Sequence, residues 1–357
     1  MIINVGIIGV GTVAQLMHLP ILSSLYDLYR ITAVSDVSPS QLQYVAEKYG
    51  AKAYADPYEL VKDPNVDAVF VCSPDQYHAA YAAAALEEGK HVFVEKPVTL
   101  CLEDLDKLIA LQEAHPDQIC MVGYMRRYGK GFEKCKELLA QDDRKIEYMR
   151  FRDIILEGDF FIGQTKHPYF GKGDIPAQSK EESARLRYEQ VGKALGEGCT
   201  EQQRITYVML TGLGCHTLAA VRELVGLPVE IESVSVRGEH VVIVFRYDDF
   251  LAIYEIVNDQ EVVQFDASIE IYQHNRRMKV KCETPYLRYQ PQTFEVIESN
   301  AEDTKTTVYG PDYRDPFEIE VRHYHDCIEK GVLPKADFKD ARADLELFRE
   351  ICLKIKE

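Results

Sequence analysis

Residues 2–14 read IINVGIIGVGTVA, and this stretch decides the fold of the first part of the chain. A short apolar run rich in β-branched residues leads directly into the pattern Gly9-x-Gly11-x-x-Ala14. Gly9 permits a tight turn, Gly11 lets the backbone approach a pyrophosphate, and Ala14 is small enough for a helix to pack on the strand. The stretch therefore predicts the strand, turn and helix of a dinucleotide-binding site.

Two further features complete this predicted site. The start of the helix, at Thr12 and Val13, offers free N–H groups and a positive dipole end to a phosphate. Asp36 ends the second predicted strand, where a carboxylate can accept hydrogen bonds from a ribose 2′-OH and repels a 2′-phosphate. No Lys or Arg follows before Lys48, so the sequence favours NAD over NADP. A helix N-cap or a solvated loop acid is the alternative role for Asp36.

The first 125 residues alternate short apolar runs with helical stretches. The runs are Ile2–Ile8, Ile31–Ser35, Ala68–Cys72, His91–Val94 and Ile119–Val122, and the helices are Val13–Leu28, Pro39–Tyr49, Gln76–Glu88 and Leu102–Glu113. Strands and helices that alternate in this way predict a doubly wound parallel sheet, in which both faces are covered. We expect residues 1–125 to form an α/β Rossmann domain that binds NAD(P).

Residues 126–357 have a different pattern of apolar and polar residues, which predicts a second α/β domain. Alternating strands joined by short turns indicate an open, mainly antiparallel sheet. Its predicted strands are Ile146–Ile155, Glu230–Arg237, His240–Tyr247, Phe250–Val257, Ala267–Tyr272, Met278–Cys282 and Thr293–Ile297. Helices are expected near Gly131–Ala140, Gln203–Val225, Pro316–Lys330 and Lys339–Ile355, and a polar, poorly periodic insert at about 156–203.

Composition excludes several classes of function. The chain has 357 residues, which suits two domains, and its net charge of −17 disfavours binding to nucleic acid or to an anionic membrane surface. No stretch approaches the roughly 18 apolar residues of a transmembrane helix. The nine cysteines are unpatterned, which predicts reduced thiols in a cytoplasmic protein and no metal site.

Several motifs together make the chain resemble the Gfo/Idh/MocA family of oxidoreductases. They are Gly9-Val10-Gly11, Ser73-Pro74-Asp75-Gln76-Tyr77-His78, Gly89 to Pro97 (GKHVFVEKP), Gly123 to Tyr128 (GYMRRY), Gly214-Cys215-His216 and Gly331 to Pro334 (GVLP). The resemblance implies a Rossmann domain followed by an α/β domain whose open sheet mediates a homodimer or homotetramer. It also implies oxidation or reduction of a sugar, a polyol or a related compound with NAD(P).

Lys96 is the main catalytic candidate. It follows a parallel strand at the carboxyl edge of the sheet, where ligands bind in open α/β folds. There it can bind the reacting hydroxyl and, if partly desolvated, move its proton. Glu95 can orient the lysine or bind the cofactor, and the resemblance implies a cis bond before Pro97. The alternative for Lys96 is a solvated loop lysine.

The loop between the fourth predicted strand and its helix is a second candidate for cofactor binding. Ser73 and Pro74 begin this loop, and His78 follows them. We expect all three beside the cofactor, with His78 near the nicotinamide. A capping role for His78 is the alternative.

His216 is the second catalytic candidate, as an acid/base or as a ligand of a substrate hydroxyl. The family pattern has an acid four residues earlier, but this chain has Gly212 there, so the usual pair is incomplete. A hydrogen-bonded structural histidine is the alternative. Tyr124 and Arg127 are candidate substrate contacts at the domain crossover, although a solvated arginine at a helix start would fit Arg127 nearly as well.

The insert is a candidate lid over the sugar site. It carries Asp159, His167, Tyr169, Asp174 and Arg185. An arm that docks on another subunit, or disorder, is the alternative.

The sequence as a whole predicts an NAD-dependent oxidoreductase acting on a sugar or an inositol-like polyol. Two rivals remain: an NAD-assisted sugar lyase or glycosidase without net oxidation, and a non-enzymatic sugar or nucleotide sensor.

Overall fold

The computed structural model describes residues 1–155, 158–164, 168–258 and 265–356. Its residues group into two compact units, and each is described here by itself. The first unit comprises Met1–Tyr124, His167–Glu197 and Glu320–Glu346; the second comprises Met125–Lys166, Gly198–Ile319 and Leu347–Glu357.

A six-stranded parallel sheet forms the core of the first unit, with strand order β3-β2-β1-β4-β5-β6. The strands are β1 Ile3–Ile8, β2 Tyr29–Ser35, β3 Lys52–Tyr54, β4 Ala68–Val71, β5 His91–Glu95 and β6 Cys120–Gly123. The predicted doubly wound parallel sheet is confirmed. Sequence reasoning missed β3, because three residues at an exposed edge carry no apolar run.

Twelve α-helices of five residues or more are present in the described part of the chain. They are α1 Leu19–Ser24, α2 Pro39–Tyr49, α3 Pro57–Val61, α4 His78–Glu87, α5 Leu102–Ala114, α6 Lys130–Gln141, α7 Gly158–Ile162, α8 Ala177–Leu195, α9 Glu201–Met209, α10 Cys215–Val225, α11 Pro316–Lys330 and α12 Phe338–Leu353. A π-helical segment, Ala14–His18, precedes α1, and a 3₁₀ turn, Asp75–Tyr77, precedes α4. Helix α2 has the boundaries predicted from sequence, because Ser38 caps its first turn and the left-handed Gly50 ends it.

An eight-stranded sheet forms the second unit, with strand order β14-β13-β12-β11-β7-β10-β9-β8. The strands are β7 Ile146–Ile155, β8 Glu230–Arg237, β9 His240–Arg246, β10 Leu251–Asn258, β11 Phe265–Gln273, β12 Arg276–Cys282, β13 Gln292–Ser299 and β14 Thr304–Asp312. Every pair is antiparallel except β7 with β10, so the predicted mainly antiparallel sheet is confirmed. Phe151, Phe245 and Tyr254 stack on its buried face.

The division into units differs from the single boundary expected at residue 125. Residues 167–197, from the insert, and residues 320–346 group with the Rossmann sheet. The second segment does so because Tyr324 of α11 lies edge-on to Phe70 and Phe93, with ring centroids 5.7 and 5.6 Å apart. The insert is poorly periodic in sequence, yet it contains the 19-residue helix α8.

One helical stretch, Glu201–Val225, is long and apolar enough by composition to cross a membrane, which the sequence analysis did not foresee. It comprises α9, a π-helical segment at Leu210–Gly214 and α10. Of the apolar 18-residue window within this stretch, 56% is buried inside the structure. Core helices of water-soluble domains have the same length and composition, so this feature by itself assigns no membrane.

Candidate active site

The glycine-rich turn after β1 has the geometry that a dinucleotide requires. Gly9 adopts a φ of 86°, and a Cβ there would lie 2.5 Å from the backbone nitrogen of Ser73 at the end of β4. Only glycine therefore fits. Among the described residues, none has an atom within 4 Å of a Cβ built on Gly11, so this backbone faces open space. Ala14 is fully buried. The turn has room for a pyrophosphate where the motif predicts one.

Asp36 joins the glycine-rich turn to the start of α2. Its Oδ2 accepts a hydrogen bond from the Val10 N–H at 2.9 Å, and its Oδ1 accepts one from the Ser38 N–H at 2.9 Å. Burial raises the pKa of Asp36, and these backbone hydrogen bonds partly oppose that shift. Ser38, not Asp36, is the N-cap of α2. Gln41 Nε2 also donates to Oδ2, at 3.5 Å, so the second lone pair of Oδ1 is the one with which Asp36 can accept a ribose hydroxyl.

The loop after β4 is held by His78. Its Nε2 lies 2.7 Å from the carbonyl oxygen of Ser73, and its Nδ1 lies 2.7 Å from the carbonyl oxygen of Pro97. A neutral imidazole has a single N–H, so only the doubly protonated ring donates to both oxygens. His78 is buried and begins α4, so it ties together the two loops that flank the candidate lysine. Ser73 and Pro74 line the cavity beside Asp36.

Glu95, the last residue of β5, has a partner that sequence reasoning missed. His18 Nε2 lies 2.6 Å from Glu95 Oε1, both side chains are buried, and the imidazole packs edge-on against Phe70 and Phe93. Burial raises the pKa of Glu95, but the hydrogen bond and charge of His18, together with the charge of Lys96, lower it more, so the net shift is downward. His18 lies outside every motif, so no sequence signal identified it.

Lys96 follows β5 at the carboxyl edge of the parallel sheet and is partly buried. Its backbone N–H donates to Glu95 Oε2 at 3.2 Å. The Lys96–Pro97 peptide bond is cis, as the resemblance implied. The first unit thus brings Lys96, Glu95, His78 and the glycine-rich turn to the carboxyl ends of neighbouring strands β1, β4 and β5, which is where open α/β sheets bind ligands.

His216 belongs to the second unit, as the second residue of α10, and is buried. It follows the π-helical segment Leu210–Gly214, an irregularity that is frequent at functional sites. Gly214 is closely packed, since a Cβ there would lie 3.2 Å from the Tyr254 hydroxyl oxygen. Gly212 is exposed, and no described residue comes within 4 Å of a Cβ built on it.

Arg127 is not the solvated arginine that was the alternative in the sequence analysis. It is buried, and its Nε lies 2.5 Å from Glu223 Oε2, while Lys136 reaches the other oxygen of Glu223. This ion pair accounts for its position, and contact with a substrate stays a prediction. Tyr124, the last residue of the first unit, is buried, and its role also stays a prediction.

Arg126, which precedes Arg127 in the GYMRRY motif, is the centre of a buried polar network in the second unit. Its guanidinium lies 2.5 Å from both Asp153 Oδ1 and Thr217 Oγ1, and the Tyr254 hydroxyl donates to Asp153 Oδ2 at 2.8 Å. Burial acts to lower the pKa of Arg126, but the charge of Asp153 raises it more. Four buried polar side chains on separate elements are thus joined by hydrogen bonds, a pairing that only the fold creates.

One described group of side chains has metal-ligand geometry. The ligand atoms of His325, Asp326 and Glu329 lie within 4.8 Å of one another. His325 Nε2 is already 2.8 Å from the Met1 carbonyl oxygen, and Glu329 pairs with the terminal ammonium group. These bonds already use two of the three candidate ligand side chains.

Comparison with known proteins extends these observations. Residues 3–124 match the family model described as an oxidoreductase family with an NAD-binding Rossmann fold. Myo-inositol 2-dehydrogenase of Thermotoga maritima is 35% identical over 207 residues, which is 54% of this chain and 61% of that protein. An inositol 2-dehydrogenase/D-chiro-inositol 3-dehydrogenase of Shouchella clausii is 36% identical over 144 residues, 40% of this chain and 41% of that protein. The chain thus spans about two fifths to three fifths of the length of these curated relatives.

The likeness in fold covers far more of the chain. A 3-ketoreductase of Actinomadura kijaniata, solved with TDP-benzene and NADP, superposes with a TM-score of 0.74. The identity is 16%, and the superposition covers 99% of this chain and 98% of that one. Residues 3–124, which contain the nucleotide-binding turn and the Glu95-Lys96-Pro97 element, thus form a Rossmann domain similar to that of the Gfo/Idh/MocA oxidoreductases.

Proposed function

We propose that this chain is an NAD-dependent oxidoreductase that transfers a hydride between nicotinamide and a carbinol carbon of a sugar, an inositol-like polyol or a related polyhydroxy compound. The observation that carries the proposal is the position of Lys96. This residue directly follows β5, which lies one strand beyond β4 from the strand that leads into the nucleotide-binding turn, and its neighbour Glu95 is fixed by the buried His18.

Each of these side chains has a distinct part in the proposed reaction. Bound nicotinamide supplies the hydride acceptor or donor. Lys96 Nζ hydrogen-bonds the reacting oxygen and takes or returns its proton, while the fixed carboxylate of Glu95 supplies a negative charge beside it. His78 holds the Ser73 and Pro97 carbonyl groups and so fixes the loops on either side of Lys96. Lys96 is the catalytic residue of this set, and Glu95, His18 and His78 position it.

The coenzyme preference is argued from Asp36. Its carboxylate lies at the end of β2 with two backbone N–H donors, in a position to accept the 2′-OH of an adenosine ribose. A 2′-phosphate there would meet a like charge. We therefore propose NAD as the preferred coenzyme, with NADP accepted less well.

The substrate class is argued from the relatives. The sequence relatives are named as inositol 2-dehydrogenases, and a neighbour of similar fold is an aldose-aldose oxidoreductase of Caulobacter crescentus. Both names describe chemistry at a secondary hydroxyl or an aldose carbon. The screen that tests the proposal presents NAD and NADP with a panel of inositols, aldoses and sugar acids and follows nicotinamide absorbance.

Replacement of Lys96 gives the sharper test. We expect Lys96→Met to bind NADH as the wild type does and to lose about a hundredfold or more in turnover, since general acid–base groups contribute that much. The matched control is Lys62→Met, which removes an exposed lysine of the same unit paired with Glu59. Near-normal turnover of Lys96→Met would refute the assigned role.

His216 is proposed as a second proton-transfer group on the strength of its motif. Gly212 supplies no carboxylate beside it, so the reaction can differ in detail from that of relatives with the complete pair. Product analysis distinguishes the outcomes, because a dehydrogenase accumulates NADH, whereas an NAD-assisted lyase or glycosidase consumes sugar without net NADH.

A further inference from the structure

The insert contributes one wall of the cavity that adjoins Asp36. The cavity has a volume of about 190 Å³ and lies at the carboxyl ends of β1, β2 and β4. Gly9, Asp36 and Pro74 form one side of it, and the insert residues Ile175 and Lys180 line it as well. All of these residues belong to the first unit. The cavity is therefore built jointly by the nucleotide-binding turn and the insert.

A first set of contacts fixes the insert to the nucleotide-binding turn through Gln15. The side-chain Nε2 of Gln15 donates to the carbonyl oxygen of Tyr169 at 2.9 Å, and its Oε1 accepts the Tyr169 N–H at 2.8 Å. The same Nε2 also donates to the carbonyl oxygen of Val10 at 2.7 Å. The ring of Tyr169 stacks on Tyr44 of α2, with 4.4 Å between centroids. One glutamine thus ties the insert to the backbone that faces the pyrophosphate.

A second set of contacts binds the insert to the start of α2. Asp174 accepts a hydrogen bond from the Ser38 hydroxyl and another from the Ser40 N–H at 3.0 Å. The Lys172 N–H donates to Ser40 Oγ at 3.0 Å. Gly171 has a φ of 67°, and a Cβ there would lie 2.5 Å from Ser40 Oγ. The backbone of the insert therefore lies directly against the start of α2. This docking lies directly beside Asp36, whose Oδ1 accepts the Ser38 N–H.

Helix α8 contacts the loop after β4. Ser183 hydrogen-bonds the side chain of Gln76, and Gln190 Nε2 donates to the Gln76 carbonyl oxygen at 2.9 Å. Arg187 pairs with Asp75 at 2.7 Å. These polar contacts hold the helix beside the cavity, which its residues Ser179 and Lys180 line.

We propose that residues 168–195 form an adenosine clamp, which covers the adenosine half of the bound dinucleotide and slows its release. Ser179, Lys180 and Ser183 of the clamp line the same cavity as Asp36. This set of groups suits a ribose with its hydroxyls and the adjoining phosphates, in a chain whose net charge of −17 otherwise repels a dianion. The inference rests on the proposed function, because it assumes that the cavity takes NAD.

Binding of NADH to the purified full chain tests the clamp without any catalytic assay. Asp174→Ala removes both acceptors that dock the insert on α2, and Lys180→Gln removes the cation from the cavity. Because this carboxylate docks the insert on α2, we expect Asp174→Ala to raise the Kd of NADH about tenfold, mainly through a faster koff. We expect Lys180→Gln to raise it several-fold. The matched control is Glu189→Gln on the same helix, whose exposed carboxylate pairs only with Arg185 among the described residues, and it should leave the Kd unchanged.

Amide hydrogen exchange of residues 168–176 in the wild type gives a second readout that needs no variant. The clamp requires slower exchange in this segment when NADH is added. The clamp is overturned, and the proposed function stands, if wild-type protein binds NADH while both variants bind it equally well and exchange is unaffected. If the wild type binds neither NADH nor NADPH, the proposed function and the clamp both fall.

Discussion

At the scale of single residues, the buried pair of His18 and Glu95 determines what surrounds the proposed catalytic lysine. A carboxylate with 6% of its surface exposed is costly unless it is paired. His18, in the helical segment that follows the glycine-rich turn, is the partner of this carboxylate. The hydrogen bond between His18 and Glu95 thus links the nucleotide site to the Glu95-Lys96-Pro97 element.

Removal of His18 should therefore be strongly destabilising. We expect His18→Leu to lower the free energy of unfolding at neutral pH by about 3 kcal/mol, because it leaves a buried carboxylate without its partner. The pKa of Glu95 is lowered in the folded wild type, so its stabilisation is present above the unfolded pKa and is lost as pH falls through the folded one. Without His18, burial raises the pKa of Glu95 in the variant, so the difference between variant and wild type should begin to shrink as pH falls through that raised value and should be lost below the lowered pKa of the wild type.

Denaturant unfolding across pH measures this difference. The double variant His18→Leu/Glu95→Gln should recover much of the lost stability at neutral pH, since it no longer buries a charge. A deficit of equal size at every pH, unrelieved by Glu95→Gln, would show that lost packing alone explains the effect.

At the scale of elements, α11 contributes an aromatic cluster to the Rossmann sheet. Tyr324 is fully buried against Phe70 and Phe93, and no described residue offers a hydrogen-bond partner to its hydroxyl. Burial raises its pKa well above the ordinary value, so the hydroxyl stays neutral. Tyr29, in the same cluster, donates its hydroxyl to the Val321 carbonyl oxygen at 2.8 Å.

The two tyrosines make a matched pair for a stability measurement. Tyr324→Phe should stabilise the protein by about 1 kcal/mol, because it removes a buried unpaired polar group and keeps the ring. Tyr29→Phe should destabilise it by about 1 kcal/mol, because the Val321 carbonyl loses its donor. Thermal unfolding of both variants measures the two effects, and a loss of stability in Tyr324→Phe would indicate an ordered water on that hydroxyl.

At the scale of the whole molecule, the property to be measured is the oligomeric state of the chain. Strands β7, β10, β11 and β12 of the second unit carry paired charges. Arg150 lies 2.7 Å from Glu255, and Glu270 is contacted by Arg277 and Lys279. Burial raises the pKa of Glu270, but hydrogen bonds from Arg277, Lys279 and Tyr272 lower it more, to about 2, so it is charged at neutral pH. The family resemblance implies that such a sheet pairs two copies.

We expect light scattering to give twice or four times the mass of one chain. Arg150→Glu places like charges beside Glu255 on the sheet and should shift the protein towards smaller species. The matched reversal Lys145→Glu, at an exposed pair with Asp249, should leave the mass unchanged. A wild-type mass of one chain, or equal masses for the two variants, would argue against assembly through this sheet.

Much of the fold could be predicted because its signals are local. The apolar runs that became β1, β4 and β5 are buried on both faces, and β9 alternates buried and exposed residues as its sequence does. Helix α8 could not be predicted in this way. Its sequence is polar almost all round, only Val191, Ala194 and Leu195 are buried, and polar contacts with distant residues hold it in place.

The residues of the candidate site also fall into two groups, those that local sequence predicts and those that only the fold brings together. The sequence by itself determined the glycine-rich turn, Asp36 and the place of Lys96 at a strand end, because each depends on backbone geometry within a few residues. Only the tertiary structure brought His18 to Glu95, joined Arg126 to Asp153, and set Lys180 in the cavity of Asp36, where the local sequence showed no cation. Such pairs lie far apart in the chain, and a buried or shared charge acquires its partner only when the elements pack.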